Sequence, residues 1–102
     1  MTSPMTRHIG VVFYKNQIRG IHCFNKLVDQ YRNTSELLSK IPYRAHFADG
    51  TIISLHSPVS TIGVRFDKVY VDKEMPFDVV ENRVIAFLRY PIKNLEDMIR
   101  YY

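Results

Sequence analysis

The stretch that decides the fold is IGVVFYK at residues 9–15, because IGVRFDK at residues 62–68 repeats it at an offset of 53. Six of the sixteen aligned positions from residue 9 to residue 24 are identical, where about one is expected by chance. Two strands of similar composition would share Val, Ile and Phe, but they would not also share Gly and Lys at one fixed offset. We interpret the match as an internal duplication.

Each copy begins with the apolar alternation of a β-strand, seen in Ile62, Val64 and Phe66. The pairs Lys15-Asn16 and Asp67-Lys68 then predict tight turns into return strands at residues 17–22 and 69–73. The repeated glycine, Gly10 or Gly63, predicts a bulge or a close approach of another backbone.

Both copies change to a helical pattern after their shared phenylalanines, Phe24 and Phe77. Asn25 and Asp78 are suitable helix N-caps, and Asp78 with Glu81 resembles a capping box. Residues 80–90 are also compatible with a strand, because a short apolar run has no decisive period. We favour a helix there, and a short terminal helix over residues 94–102.

The first half alone contains a strong hairpin signal, at residues 43–47 and 51–56 around Asp49-Gly50. This dipeptide accepts the positive φ angles of a type I′ turn. We therefore predict a single α+β domain over residues 1–102, with a disordered start at 1–6. A first motif plus hairpin at 8–56 is followed by a second motif at 61–102.

These segments together predict two similar strand-strand-helix motifs related by a pseudo-twofold axis. Each motif has too few elements to bury its own apolar face, so each uses the other as its second layer. We expect a groove between the two motifs, with strand edges open to a partner.

Composition narrows the classes of function. The chain has 102 residues, is 46% hydrophobic and contains one cysteine, which excludes an internal disulfide. It lacks an apolar run of membrane-spanning length, so we expect a soluble, intracellular protein. The net charge of +4 comes entirely from residues 1–51, which suit phosphate or an acidic peptide.

No motif indicates catalysis, a cofactor or a metal. The histidines (His8, His22, His46, His56) and Cys23 lack the spacing of zinc ligands, so we interpret them as surface or satisfied strand residues. Asp67, Asp72 and Glu74 alternate with basic residues, which is typical of a solvated strand rather than of a nuclease. The four glycines form no phosphate-binding loop. We predict that the protein is not an enzyme.

The tyrosines give a candidate interaction surface, since these side chains are enriched at interfaces and also stack on single-stranded bases. Tyrosines near turns and basic residues near them are the candidates: Tyr14, Arg19, Tyr43, Arg44, Arg65 and Tyr70.

Two functions follow as hypotheses. The first is capture of a peptide or protein segment in the groove, with backbone pairing at a strand edge. The second is salt-sensitive nucleic-acid binding, with phosphates on Lys15, Arg19, Lys26 and Arg44 and a base on Tyr14 or Tyr43. A homodimer formed through the same edges is a further possibility.

The chain resembles the small accessory proteins of filamentous viruses of hyperthermophilic archaea. The likeness lies in its length, its Tyr- and Ile-rich basic composition, its single cysteine and the repeat of residues 9–15. The resemblance implies an α+β protein of two similar motifs with no known enzymatic activity. It also implies a role in protein–protein contact in the host cytoplasm, and it supplies no site residues.

Overall fold

A six-stranded mixed β-sheet is the centre of the protein in the computed structural model, which describes residues 6–92 and 94–102. Its order is β2-β3-β4-β1-β5-β6. The strands β4, β1, β5 and β6 run parallel, whereas β3 is antiparallel to both β4 and β2. The strand bounds are β1 (Arg7–Val12), β2 (Leu37–Ile41), β3 (Arg44–Phe47), β4 (Thr51–His56), β5 (Lys68–Val71) and β6 (Ile99–Tyr101).

Over the described residues, three α-helices and two short 3₁₀ helices connect the strands. The α-helices are α1 (Gln17–Tyr31), α2 (Phe77–Arg83) and α3 (Leu95–Met98), and the 3₁₀ helices span Pro58–Thr61 and Ile85–Phe87. The predicted mixture of α and β structure is therefore confirmed. The frayed start predicted for residues 1–6 falls almost wholly on residues 1–5, which lie outside the described residues.

The sheet has an apolar cluster on each face. Ile9 and Val11 of β1 pack towards α1, where they meet Phe24 and Val28. Val12 belongs to the second cluster, which α2 and the segments around it cover. Successive residues of a strand point to opposite faces, so β1 contributes to both clusters. This burial on both sides explains the nearly unbroken apolar run of β1.

The pseudo-twofold repeat is not confirmed. Residues 9–15 form most of β1 and the turn after it, whereas residues 62–68 have no strand before Lys68. Gly63 has a φ of 84°, which turns the chain away from an extended path. The similar sequences therefore adopt different secondary structures.

The predicted return strand at residues 17–22 is wrong, because that stretch is the beginning of α1. The Asn16 side chain accepts a hydrogen bond from the Arg19 amide and caps the helix. Gly20, Phe24 and Val28 are buried at intervals of four residues, which is one face of a helix. Asn25, the predicted cap, therefore lies within α1.

The second half matches its prediction in part. The predicted return strand at 69–73 corresponds to β5, but no turn precedes it at Asp67-Lys68. Helix α2 begins at Phe77 with Pro76 as its N-cap, so the Asp78 capping box is wrong. Within residues 80–90 the helix continues only to Arg83 and a 3₁₀ turn follows, and Val84 and Leu88 are buried in the cluster that β5 also joins.

The terminal helix predicted over residues 94–102 is confirmed only at its start. Asn94 caps α3 by accepting a hydrogen bond from the Glu96 amide, but the helix ends at Met98. The chain then extends as β6 and buries Ile99 beside Val69. Pairing with β5 replaces the helical hydrogen bonds in this segment.

The hairpin predicted around Asp49-Gly50 is confirmed as β3 and β4, and only its turn type differs. Gly50 alone has a positive φ there, at 91°, and its amide donates to the Phe47 carbonyl at 3.0 Å. A type I′ turn needs two positive φ angles, so the loop is instead a tight turn closed by a left-handed glycine.

Gly10 creates the space for a ring on the face opposite α1. A Cβ at Gly10 would lie 2.4 Å from Cε1 of Phe66, which is fully buried. The predicted close approach at Gly10 is therefore made by a side chain rather than by a backbone. The ring anchors the irregular segment 62–67 to β1, and its edges contact two histidines.

Candidate functional site

The six candidate residues do not form one surface. Arg19 and Tyr70 line a cavity beside α1, whereas Tyr43, Arg44 and Arg65 line another on the opposite face of the sheet. Tyr14 lines neither of these two cavities. Its ring packs against the apolar cluster of Val12, with the Lys15 ammonium 5.3 Å from the ring centroid.

The first cavity, which we call the groove, has a volume of about 520 Å³ and lies between α1 and the strands β5 and β6. It is present because α1 packs mainly on β4 and β1 and leaves that part of the sheet uncovered. The groove brings one element of the first half against two of the second. It is defined by Arg19, His22, Lys26, Tyr70, Tyr101 and Tyr102.

Arg19 is fixed at the end of the groove where the parallel strands have their carboxyl ends. Its Nη1 lies 3.2 Å from Oδ1 of Asp72 and 3.5 Å from Oε2 of Glu74. Its Nη2 donates to the Tyr102 carbonyl at 3.2 Å. The Asp72 side chain is fully buried, and its Oδ2 has no hydrogen-bond partner among the described residues. Arg19 therefore joins α1 to β5 and β6.

Two groups in the groove are held in their neutral forms. Burial raises the pKa of the Cys23 thiol to about 11, because the thiolate would lose hydration. Burial also raises the pKa of the Tyr102 hydroxyl, and the negative charge of Asp72 adds to that effect. Cys23 is thus a protonated thiol at pH 7, which makes it a poor nucleophile.

A smaller cavity of about 230 Å³ extends the groove along α1. It shares Leu27, Gln30 and Tyr70 with the groove and adds Arg7 and Lys68 at its far end. Among the described residues, no Asp or Glu lines either cavity. The extended groove therefore has cationic side chains along its length and aromatic rings on its floor.

The edge of β6 runs beside the groove. The Tyr102 amide donates to the Val71 carbonyl and the Tyr102 carbonyl accepts from Lys73, so these groups face β5. Because successive residues of a strand alternate, the backbone groups of Tyr101 face outward, whereas the Ile99 amide, on the same side, already donates to the Leu95 carbonyl of α3. No strand within residues 6–92 or 94–102 pairs with that outer edge.

The second cavity, which we call the cleft, has a volume of about 590 Å³ and lies over β3, β4 and β1 on the face opposite α1. Its base is Ser54, whose Oγ lies 2.6 Å from Nε2 of His8 and 2.7 Å from Nε2 of His56. Both rings contact Phe66 edge to face, at 5.1 and 5.2 Å between centroids. Arg44, Arg65 and Arg89 complete the cleft.

Both histidines of the cleft are neutral at pH 7. Burial lowers the pKa of His8 to about 4, and the charge that His56 carries when protonated and the charge of Arg44 add to that effect. Burial lowers the pKa of His56 as well, with Arg44 again contributing. The Ser54 hydroxyl has one proton and two lone pairs, so it donates to at most one of the two Nε2 atoms and can accept from either ring, as the tautomers decide.

Sequence reasoning missed the grouping of His8, Ser54 and His56. A usable signal was present, because Ser54 and His56 are two residues apart and so share one face of the predicted strand. The side of the sheet on which β1 places His8 depends on strand pairing, which no local pattern shows. His22 lines the groove, far from this group.

The prediction that the acidic residues are ordinary solvated groups is wrong for Asp72, which is buried. Asp67 precedes β5 and binds Arg89 at 2.9 Å, whereas Asp72 and Glu74 follow β5 and bind Arg19. The three carboxylates therefore lie at opposite ends of the strand. Over the described part of the chain, no three His, Cys, Asp or Glu side chains converge as metal ligands.

Comparison with known proteins gives no family for the chain, since neither a family model nor a curated protein matches it. The resemblance to archaeal viral accessory proteins therefore stays a prediction. Within the described ranges, each helix is too short or too polar to span a bilayer.

Proposed function

We propose that the protein is a non-catalytic binding module that captures an acidic peptide segment along the edge of β6, with side chains of the peptide in the groove. The observation that carries the proposal is the outward-facing backbone of Tyr101 beside a cationic, aromatic-lined cavity. Backbone pairing supplies affinity in this mode of recognition, and the pockets beside the strand supply selectivity.

The charge of the groove supports an acidic occupant. Arg19, Lys26, Arg7 and Lys68 lie along it, and the lining residues include no Asp or Glu to neutralise them. Arg19 is already paired with Asp72 and Glu74, so the ammonium groups of Lys26 and Lys68 and the guanidinium group of Arg7 are the lining cations outside an ion pair in the described chain. A peptide with Glu at alternate positions would place its carboxylates on one side, towards these two ammonium groups.

The aromatic rings support a peptide with apolar side chains between its acidic ones. Tyr70 lies on the floor with the Lys68 ammonium 5.5 Å from its centroid, and the Tyr102 ring lies under the Arg19 guanidinium at 5.6 Å. Both rings are only partly buried, so further apolar surface can be covered on binding. Contact between protein chains of this kind is also what the resemblance to viral accessory proteins implies.

A pair of substitutions at one position tests the backbone contact. Tyr101→Pro removes the outward N–H, and proline is tolerated where a strand's N–H faces solvent. Tyr101→Ala keeps that N–H and removes the ring. The probe is a fluorescein-labelled decapeptide of alternating Glu and Val, followed by anisotropy.

The proposal predicts that Tyr101→Pro weakens binding about tenfold relative to Tyr101→Ala, since a hydrogen bond in a desolvated contact is lost. Equal affinities of the two variants would contradict pairing at β6. A peptide of alternating Lys and Val is the charge control, and it should bind more weakly than the Glu peptide.

Nucleic-acid binding is the second candidate, because the same rings and lysines could hold stacked bases and phosphates. A 20-nucleotide oligo-dT titrated at rising salt distinguishes the two ligands. Counterion release makes nucleic-acid affinity fall steeply with salt, whereas backbone pairing responds far less. Tight, salt-sensitive binding of oligo-dT together with no binding of the Glu peptide would favour the second candidate.

A further inference from the structure

The cleft on the face opposite α1 combines cations from three separate segments of the chain. Arg44 lies on β3 directly across from Ser54, Arg65 precedes β5, and Arg89 follows the 3₁₀ turn Ile85–Phe87. All three residues line one concave surface. Convergence from distant parts of the sequence distinguishes this cluster from a run of solvated charges.

Two of these arginines have no acidic partner in the described chain. Arg89 is paired with Asp67, but no described carboxylate lies within ion-pair distance of Arg44 or Arg65. Arg65 instead donates to the Val64 carbonyl and stacks over the Phe87 ring at 5.7 Å. The cleft therefore carries an excess of positive charge that a bound anion would neutralise.

The base of the cleft is a buried hydroxyl whose direction can be changed by one proton. Ser54 is 4% exposed and is flanked by Nε2 of both histidines. With both rings neutral, the single Ser54 proton can be donated to one of them. When that ring takes up a proton, both Nε2 atoms donate to Ser54, and its own O–H becomes available to donate to an acceptor in the cleft.

The apolar part of the cleft determines what accompanies the anion. Tyr43 and Val64 line it beside the arginines, and its volume of about 590 Å³ exceeds what one tetrahedral anion needs. Tyr43 is about half exposed, so its ring is available for contact. An organic group of the size of a phenyl ring could lie against Tyr43 while the anion meets the guanidinium groups.

We propose that the cleft binds a phosphate monoester, with its phosphate on Arg44, Arg65 and the Ser54 hydroxyl and its organic group against Tyr43. Guanidinium groups match the phosphate oxygens with paired hydrogen bonds, which a flexible lysine does not provide. Asp67 has a positioning role, because it binds Arg89 and also accepts from the His8 amide at 2.7 Å. The groove lies on the other face, so this inference does not depend on the proposed function.

Isothermal titration calorimetry with phenyl phosphate tests the site, with inorganic phosphate as the probe for the anion alone. Arg44→Gln should weaken binding of phenyl phosphate at least about tenfold, because a charge-assisted hydrogen bond is lost. The matched control is Arg32→Gln, an exposed arginine at the end of α1 outside the cleft. Arg65→Gln is a second variant at an exposed position where loss of folding is not expected.

The organic group is tested by comparing ligands. Phenyl phosphate should bind more tightly than inorganic phosphate, and Tyr43→Ala should remove that advantage. Equal effects of Arg44→Gln and Arg32→Gln would overturn the anion site. Equal affinity for the two phosphates in the native protein would overturn the monoester assignment.

Sulfate provides the pH test, since it does not titrate in the range used. The groups that face His8 are His56 on β4, Arg44 on β3, and Asp67 and Arg89 from the neighbouring segments. A bound dianion would offset the positive charges of Arg44 and Arg89, so binding should take up a proton. Sulfate affinity should rise several-fold from pH 7.5 to pH 5.5, and Ser54→Ala should reduce that rise. A pH-independent affinity would contradict the role given to the histidines and Ser54.

Discussion

The groove and the cleft lie on opposite faces of one sheet, and they differ in how their cations are placed. In the groove, Lys26 and Lys68 project from separate elements, and the most specific feature is the backbone edge of β6. In the cleft, the cations converge on a base that Phe66 supports. An extended ligand suits spaced charges and a backbone edge, whereas a compact anion suits convergent donors. A substitution that alters one surface and leaves the other unchanged therefore tests the two binding proposals independently.

The largest expected effect comes from Phe66, which supports the cleft and lies at the centre of one apolar cluster. Phe66→Ala should lower the free energy of unfolding by about 3–5 kcal/mol, since a fully buried ring is lost and a cavity remains. Urea denaturation measures the change. Phe77→Ala is the matched control, because Phe77 is 68% exposed and its loss should cost less than about 0.5 kcal/mol. Similar costs for both would show that Phe66 is not packed as described.

The next effect concerns the space that Gly10 leaves for the Phe66 ring. Gly10→Ala should cost about 1–3 kcal/mol, because its Cβ would lie 2.4 Å from a ring carbon. A double-mutant cycle with Phe66→Ala sharpens the test. Without the ring, Gly10→Ala should cost much less. Additive costs in the cycle would mean that the two positions do not meet.

These contacts also show what could be predicted from the sequence. The β3–β4 hairpin was predictable because Gly50 sets its turn locally. The repeat was misleading, since residues 9–15 and 62–68 share apolar residues but not partners. The stretch at residues 9–15 begins in β1, between β4 and β5. The stretch at residues 62–68 instead crosses a face of the sheet, with the Phe66 ring against Gly10. Strand pairing between distant segments decides such placements, and no local pattern contains it.

The same reasoning applies to the candidate residues. Of the tyrosines near turns that suggested an exposed surface, Tyr43 is exposed, whereas Tyr14 and Tyr70 are half-buried. Their division between two faces was not predictable, because it depends on where α1 packs. Asp72 was missed because burial of a carboxylate requires a partner such as Arg19, which is 53 residues away.

A smaller effect is expected from pH. The pKa of His8 is about 4 in the folded protein against 6.5 in the unfolded chain, so the unfolded chain binds more protons between these values. The free energy of unfolding should therefore fall as pH drops from about 6.5 towards 4. We expect His8 to account for about 1 kcal/mol, because its ring is partly exposed and solvent reduces the effect. Urea denaturation across this range measures the decline.

His8→Gln should flatten part of that decline, with the remainder due to His56. His22→Gln changes an exposed histidine of α1 and leaves the cleft intact. It should keep the full decline. A pH dependence that is the same in all three proteins would contradict the neutral state assigned to His8.

The smallest effect is expected at Lys26 in the groove. Lys26→Ala should change the free energy of unfolding by less than about 0.5 kcal/mol, since the side chain is exposed. It should weaken binding of the Glu-Val peptide about two- to fivefold, which is typical of an exposed ion pair. Anisotropy measures the affinity. Lys40→Ala, an exposed lysine on β2 away from the groove, should leave the affinity unchanged.

Amide hydrogen exchange during titration with the Glu-Val peptide tests peptide capture at β6 most directly. The Tyr101 amide faces outward in the free protein, and the Tyr102 amide is already bonded to Val71. Saturation with peptide should slow exchange at Tyr101 at least about tenfold while the amides of β3 and β4 keep their rates. Bound peptide that leaves the Tyr101 rate unchanged, or that protects the cleft instead, would contradict the account.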